Sequence, residues 1–277
     1  MKILLTGASS YVGARLFEDI SKVHNVVGTY YGNQLSKKFI SLDVTNPEEI
    51  KKVIIKYQPE VIIHAASNAN ARWCEANPEL ATKLNQESTK YIVETANKIN
   101  AKVILISSFV AEKPVNVYGK TKQQSEKYVK ETKNGFIILR PSLIIGFSPN
   151  TTNDRPFNRI LKNLDEKTEA GYDTSWKFQP TFLRHISEII LEVIKKNIVN
   201  ETIPIAVPEI KTRFDIAKDI LEAFSIEVTP VDIKDPTEII IDDLKKLEEL
   251  NLPRYSYHKI IEQIIDEIKN RKQFSTI

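Results

Sequence analysis

The chain has 277 residues, is 42% hydrophobic and is nearly charge-balanced, with 39 basic and 36 acidic residues for a net charge of +3. That is enough apolar material for one large domain or two intimate lobes around a cleft, and too little excess charge for a surface built to hold nucleic acid or an acidic membrane. No apolar stretch nears the roughly 20 residues of a spanning helix. The single cysteine, Cys74, has no partner, and the apolar start at Ile3–Leu5 is too short for a signal peptide, so a cytoplasmic protein is expected and membrane insertion is not.

Short apolar runs alternate with longer amphipathic, charged segments. Strands are predicted at Ile3–Leu5, Val26–Val27, Val61–Ile63, Val103–Ile106 and Phe136–Leu139; helices are predicted at Val12–Ile20, Pro47–Tyr57, Pro78–Ile99 and Val117–Thr132. Apolar strands without polar alternation, separated by helices, predict a parallel sheet covered on both faces, an α/β doubly wound (Rossmann) fold. Asn46-Pro47 and Asn77-Pro78 each place a capping side chain before a proline at the first helical position. After Arg140 the rhythm changes, with turn-rich stretches at Ser148–Asn153 and Glu169–Pro180, then helices at Ile186–Lys196, Arg213–Phe224, Asp243–Leu250 and Tyr257–Arg271. The expected division is a dinucleotide-binding domain over 1–146 and a smaller C-terminal substrate-binding lobe over 147–277, with some segments returning to the first domain.

Thr6-Gly7-Ala8-Ser9-Ser10-Tyr11-Val12-Gly13 joins the first strand to the first helix, where helix N-terminal amides can hold a pyrophosphate. Gly7 permits the turn and Gly13 close helix packing, while Ser10 replaces the usual middle glycine. The second strand should end at Thr29-Tyr30, where NAD-preferring proteins carry an acid for the ribose 2′-hydroxyl. Tyr30 stands there instead. A 2′-phosphate would meet no repulsion, and Arg15, Lys37 or Lys38 could attract it, although each of these singly reads as a solvated cation. NADP(H) is therefore the expected cofactor, with NAD(H) the alternative. Asp43 and Val44 could serve an adenine, or simply lead into the next helix. His64 at the end of the fourth strand reads as a packed side chain more readily than a catalytic one. Ala65-Ala66-Ser67 after it lets backbone approach a flat cofactor.

Tyr118-Gly119-Lys120-Thr121-Lys122 is the sharpest feature, because residues at i and i+4 share one helix face and set an ammonium beside a phenol. A cation there, with a cationic nicotinamide, would lower a phenol pKa from about 10 toward neutrality. The preceding strand ends in Ser107 and Ser108, at the sheet edge where such folds bind ligands. The histidines at 24, 64, 185 and 258 lack metal-ligand spacing, so no metal is expected.

In their order, these motifs resemble the extended short-chain dehydrogenase/reductases, specifically the dTDP-4-dehydrorhamnose reductase family and its sister, the regulatory β subunit of methionine adenosyltransferase. The likeness runs nearly end to end, through Leu42-Asp43-Val44-Thr45, Cys74-Glu75 with Pro78, Leu84-Asn85, Asn116 to Lys122, Arg140-Pro141-Ser142, Pro180-Thr181 and Asp242 to Glu248. The resemblance implies an NADP(H)-dependent oxidoreductase acting on a nucleotide-sugar carbonyl. Tyr118 would be the proton donor, Lys122 its partner and a ribose ligand, Ser108 the carbonyl-polarising hydroxyl and Asn85 a supporting residue. Ser10, Tyr11 and Val12 would hold the pyrophosphate, Asp43 and Val44 the adenine, and Ala65, Ala66 and Ser67 the middle of the cofactor. A homodimer is compatible with it.

Departures from the family bear on the substrate. Only Phe109 to Val117 separate Ser108 from Tyr118, where the family has a longer segment. Leu143 replaces a frequent tryptophan, and an aspartate near Arg72 is missing, with Trp73 beside it. Two other readings follow: a sugar-nucleotide epimerase or dehydratase, disfavoured because Phe109-Val110 lacks an acidic pair and the ribose acid is absent, and a non-catalytic NADP-binding regulatory subunit, which the shortened segment keeps in play.

Overall fold

The computed structural model describes residues 1–274. Its centre is a seven-stranded, all-parallel sheet built from β1 (Lys2–Thr6), β2 (Asn25–Tyr30), β3 (Ile40–Ser41), β4 (Val61–His64), β5 (Lys102–Ile106), β6 (Phe136–Pro141) and a late strand, Glu201–Ile205. The order from one edge is Glu201–Ile205, then β6, β5, β4, β1, β2, β3, which is the doubly wound arrangement with its topological switch beside β1. Consecutive side chains of β1 explain the covering helices. Ile3 and Leu5 enter one buried cluster, and Leu4 enters a second on the opposite face.

The helices that supply those clusters are α1 (Tyr11–Ser21), α2 (Pro47–Tyr57), α3 (Ala71–Ala76), α4 (Pro78–Ala81), α5 (Ser88–Ile99) and α6 (Val117–Val129). Asn46 caps α2 as predicted, accepting from the Glu48 and Glu49 amides at 3.1 and 3.3 Å. Asn77 does not cap α4. Its side-chain amide donates back to the Trp73 carbonyl at 3.0 Å, closing α3 instead. The predicted long helix from Pro78 to Ile99 is also interrupted by a π-helical stretch over Thr82–Glu87. At its centre the Asn85 carbonyl accepts the hydroxyls of Thr89 and Ser125, at 3.1 and 2.6 Å. Side-chain donors thus take up a carbonyl within the widened turn, a feature common at functional sites.

Beyond β6 the chain forms β7 (Ile144–Ile145), α7 (Pro156–Glu166), β8 (Ala170–Asp173), β9 (Lys177–Phe178), β10 (Thr181–Phe182) and α8 (Leu183–Lys195); the edge strand Glu201–Ile205 is β11. There follow β12 (Lys211–Thr212), α9 (Arg213–Leu221), β13 (Val228–Val231), β14 (Glu238–Ile239), α10 (Lys245–Glu249) and α11 (Tyr257–Lys269). α8 packs on α1, and β11 pairs with β6 in parallel, so this middle segment belongs to the central sheet. Helix α9 starts at a capping box between Thr212 and Asp215. Neither α3 nor α7 was predicted, because each is short or lies between turn-rich stretches.

Candidate active site

The C-terminal ends of β1, β4 and β5 meet at one edge of the sheet. After β1, Gly7 has φ +72°, and a Cβ on it would stand 2.8 Å from the Ala66 backbone. Only glycine lets the turns after β1 and β4 approach so closely. Ser10 caps α1, accepting from the Gly13 amide at 2.9 Å. A Cβ on Gly13 would lie 2.0 Å from the Gly7 carbonyl. The amides of Tyr11 and Val12 occupy the first helical turn, which has no intrahelical acceptor for them. The Tyr11 side chain is turned inward, its hydroxyl donating to the Gly146 carbonyl at 2.5 Å, so any role it has toward a cofactor lies in its backbone.

Around this turn, Tyr30 is half-buried at the end of β2 and Val44 is buried behind it, while Ala65, Ala66 and Ser67 line the exit of β4. One carboxylate oxygen of Asp43 is spent on a local turn, accepting the Thr45 amide and hydroxyl at 2.8 and 2.7 Å. Arg15 corrects the sequence reading. Its guanidinium is buried, bonded to Asp19 and Glu267 at 2.7 Å each and to the Phe147 carbonyl at 2.9 Å, and is not available to a 2′-phosphate. It clamps α1 to α11. Lys37 and Lys38 are exposed beyond β2.

Ser108, Tyr118 and Lys122 come together across the trimmed segment, which turns through a short 3₁₀ stretch at Phe109–Ala111. The Ser108 side chain interacts with the Tyr118 phenol and favours its ionised form. Burial nevertheless pushes the phenol up to about 12, against the lowering pull of Ser108 and of the Arg155 guanidinium. Lys122 is 2% exposed, donates from Nζ to the Ile106 carbonyl at 2.7 Å, and is pushed down by burial to about 8. Without a nicotinamide beside it, desolvation is the largest influence on the phenol.

Beneath them, Asn85 reads Asn68 twice, accepting its amide at 2.7 Å and donating to its carbonyl at 3.0 Å, and donates to Thr121 at 3.3 Å. The Asn85 side chain also approaches Cys74 Sγ at 3.8 Å. His64 is packed, as read from the sequence. Its Nδ1 meets Thr6 Oγ1 at 2.7 Å, and burial, then the Lys122 charge, pushes it down to about 3.

The sequence reading missed the arginines. A cavity of about 440 Å³ lies between α7, β8, β13 and α9, with Arg159 and Arg213 in its wall. Arg213 stacks 4.2 Å above the Trp176 ring, and its buried Nε has no hydrogen-bond partner among the described residues. Arg155 reaches electrostatically to Tyr118, and Arg72 to Arg213. Of the chain's nine arginines, two thus line one cavity. Scarcity of arginine among many lysines was the available signal, since arginine binds oxyanions through a planar fork.

A doubly wound sheet with a glycine turn at its first crossover and a Ser/Tyr/Lys group at its edge defines an extended short-chain dehydrogenase/reductase. The family described as RmlD substrate binding domain matches residues 1–240, and the chain belongs to it. Methionine adenosyltransferase 2 subunit beta of Xenopus laevis is 24% identical over 243 residues, spanning 81% of this chain and 72% of that one. The dTDP-4-dehydrorhamnose reductase of Salmonella typhimurium is 32% identical over 158 residues, 52% of each chain. The crystal structure of the Bacillus anthracis dTDP-4-dehydrorhamnose reductase in complex with NADP superposes with a TM-score of 0.80 at 20% identity, covering 96% of this chain and 99% of that one.

Proposed function

We propose that the protein is an NADP(H)-dependent reductase of a nucleotide-activated 4-keto-deoxysugar. The observation that carries the reading is the placing of the Tyr118 phenol within reach of Ser108, one helical turn before the buried Lys122. The close turn formed by Gly7, Ser10 and Gly13 suits a dinucleotide pyrophosphate, and the backbone of Ser10, Tyr11 and Val12 would hold it. Asp43 and Val44 would border the adenine, and Ala65, Ala66 and Ser67 the middle of the dinucleotide. Lack of an acid at Tyr30, with Lys37 and Lys38 nearby, supports a 2′-phosphate. Bound NADPH would supply the hydride.

Ser108 donates to the substrate carbonyl oxygen, drawing charge onto it, and Tyr118 gives that oxygen a proton as it becomes a hydroxyl. Lys122, held by the Ile106 carbonyl, stabilises the phenolate left behind and would also bind the nicotinamide ribose. Arg159 and Arg213 suit the diphosphate of a nucleotide sugar, and the wall formed by Leu143, Ile145 and Phe157 suits its apolar parts. The test is NADPH oxidation with dTDP-4-dehydro-6-deoxy-L-mannose, with Tyr118→Phe as control. Turnover lost in that variant supports the reading; tight NADPH binding without reduction of any 4-keto sugar nucleotide overturns it. That second outcome would favour a regulatory subunit, the reading supported by the likeness to methionine adenosyltransferase 2 subunit beta.

A further inference from the structure

One buried charge near the Tyr118 group has no place in the chemistry above. Glu126 lies one helical turn after Lys122 on α6, on the same face, and is 3% exposed. Its Oε1 accepts the Ser107 hydroxyl at 2.6 Å and Arg140 Nε at 2.9 Å, while its Oε2 accepts Arg140 Nη2 at 2.7 Å. Arg140 continues from Nη1 to Glu112 at 2.8 Å, and Glu112 belongs to the trimmed segment between Ser108 and Tyr118. Four pieces of chain that must agree at the site, the end of β5, α6, β6 and the trimmed segment, are joined through this one carboxylate and its guanidinium.

We propose that Glu126 is the positioning residue of the Ser108–Tyr118–Lys122 group, fixing the Ser107–Ser108 strand end to α6 and supplying the counter-charge to Lys122. The inference rests on the reading of these three residues as the working group. Tethering α6 to β6 alone does not require an ion pair, because a buried pair is matched or bettered in stability by apolar side chains of similar volume. A carboxylate bonded to Ser107 and one helical turn from Lys122 does what an apolar pair cannot, which is to orient a hydroxyl and oppose an ammonium. The groups that face Lys122 agree with this assignment. His64 on β4 is neutral at ordinary pH, the Cys74 thiol on α3 is pushed up by burial, and Glu126 is the first of the charges that raise Lys122 against its desolvation. Arg155 acts on Tyr118, and Arg140 and Glu112 lie on the far side of Glu126.

The deciding measurement needs no substrate. The side-chain resonance of Lys122 in protein carrying isotope-labelled lysine, identified by its absence in Lys122→Met, is titrated with pH by NMR. In Glu126→Gln its midpoint should fall by about one pH unit below that of the parent protein. Glu126→Gln with Arg140→Gln leaves no lone buried charge and should give the same fall, so a poorly folded single variant does not end the test. An unchanged midpoint in either folded variant overturns the proposal, and failure of both to fold would assign the pair to holding the fold and overturn it equally. With an active parent enzyme, the alkaline limb of kcat should move acidward by the same amount, whereas a merely structural role would lower kcat at every pH alike. Absence of activity in the parent protein would count against the reductase reading and leave the NMR result to judge Glu126.

Discussion

The Ser108 side chain acts on the Tyr118 phenol across only nine intervening residues, lowering its pKa against burial. The connection is short enough to be held at both ends. Phe109–Ala111 coils into a 3₁₀ turn directly after Ser108, and Asn116 caps α6 by accepting the Gly119 amide at 2.8 Å, so Tyr118 enters in the first turn of its helix. Glu75 adds a second tie, accepting the Val117 amide at 2.6 Å.

Replacing Tyr118 by phenylalanine removes the phenol on which Ser108 acts and should lower kcat by about 10²–10⁴-fold, the usual worth of a positioned general acid. The dissociation constant for NADPH should stay within about twofold, because Lys122 and the Gly7 turn are untouched. Stopped-flow reduction and calorimetric titration check the two halves separately. A fall in NADPH affinity equal to the fall in kcat would mean that Tyr118 acts by binding.

Arg213 combines a partnerless buried Nε with a stacked indole in the wall of the second-lobe cavity. Charge-assisted hydrogen bonds are worth about 1.5–3 kcal/mol, so Arg213→Ala should raise KM for a nucleotide-diphosphate sugar by about 10–100-fold. NADPH binding should be unaffected. Steady-state kinetics with the diphosphate sugar, beside calorimetry with NADPH, separates this from a general loss of fold.

Most of the sheet and its cofactor turn were legible in the sequence because they obey local rules: unbroken apolar strands, a capping asparagine before proline, glycine where a Cβ would strike backbone. Ser108, Tyr118 and Lys122 could be read because spacing on one helix face and position after one strand fix them. What escaped depends on distant partners. Arg15 looks like a surface cation until α11 brings Glu267 to it, 252 residues along. The π-helical turn at Asn85 depends on Ser125 from α6, and the cavity arginines come from α7 and α9, which no periodicity relates. His64 was read correctly because an apolar strand end predicts burial whatever the partner.

Gly13→Ala tests the nucleotide turn through stability as well as binding. The added Cβ would overlap the Gly7 carbonyl oxygen, at 2.0 Å, and that oxygen belongs to backbone that cannot swing aside. A cost of about 3 kcal/mol or more is expected, read as a fall in Tm of about 5 °C or more together with a loss of NADPH affinity. A soluble variant with unchanged Tm and affinity would show that the turn opens readily, contrary to its packing.

His64 and His185 set the acid limit of the fold. Burial pushes His64 down to about 3, with Lys122 adding to it, and pushes His185 down to about 4, although the Pro253 carbonyl at 2.7 Å from its Nε2 pulls the other way. Both rings are neutral in the folded chain at pH values where an unfolded histidine, near 6.5, already binds a proton. The unfolded state therefore takes up protons first, and each ring removes about 1.4 kcal/mol of stability per pH unit below roughly 6.5, until its folded value is reached. Urea unfolding at pH 7.5, 6.0 and 5.0 should show stability falling by about 2 kcal/mol per histidine at the lowest pH. His185→Phe, which fills a buried site without a titrating group, should lose about 2 kcal/mol less stability between pH 7.5 and 5.0 than the parent protein. A pH slope unchanged by the substitution would mean that His185 is protonated in the folded protein and that the acid sensitivity belongs to other groups.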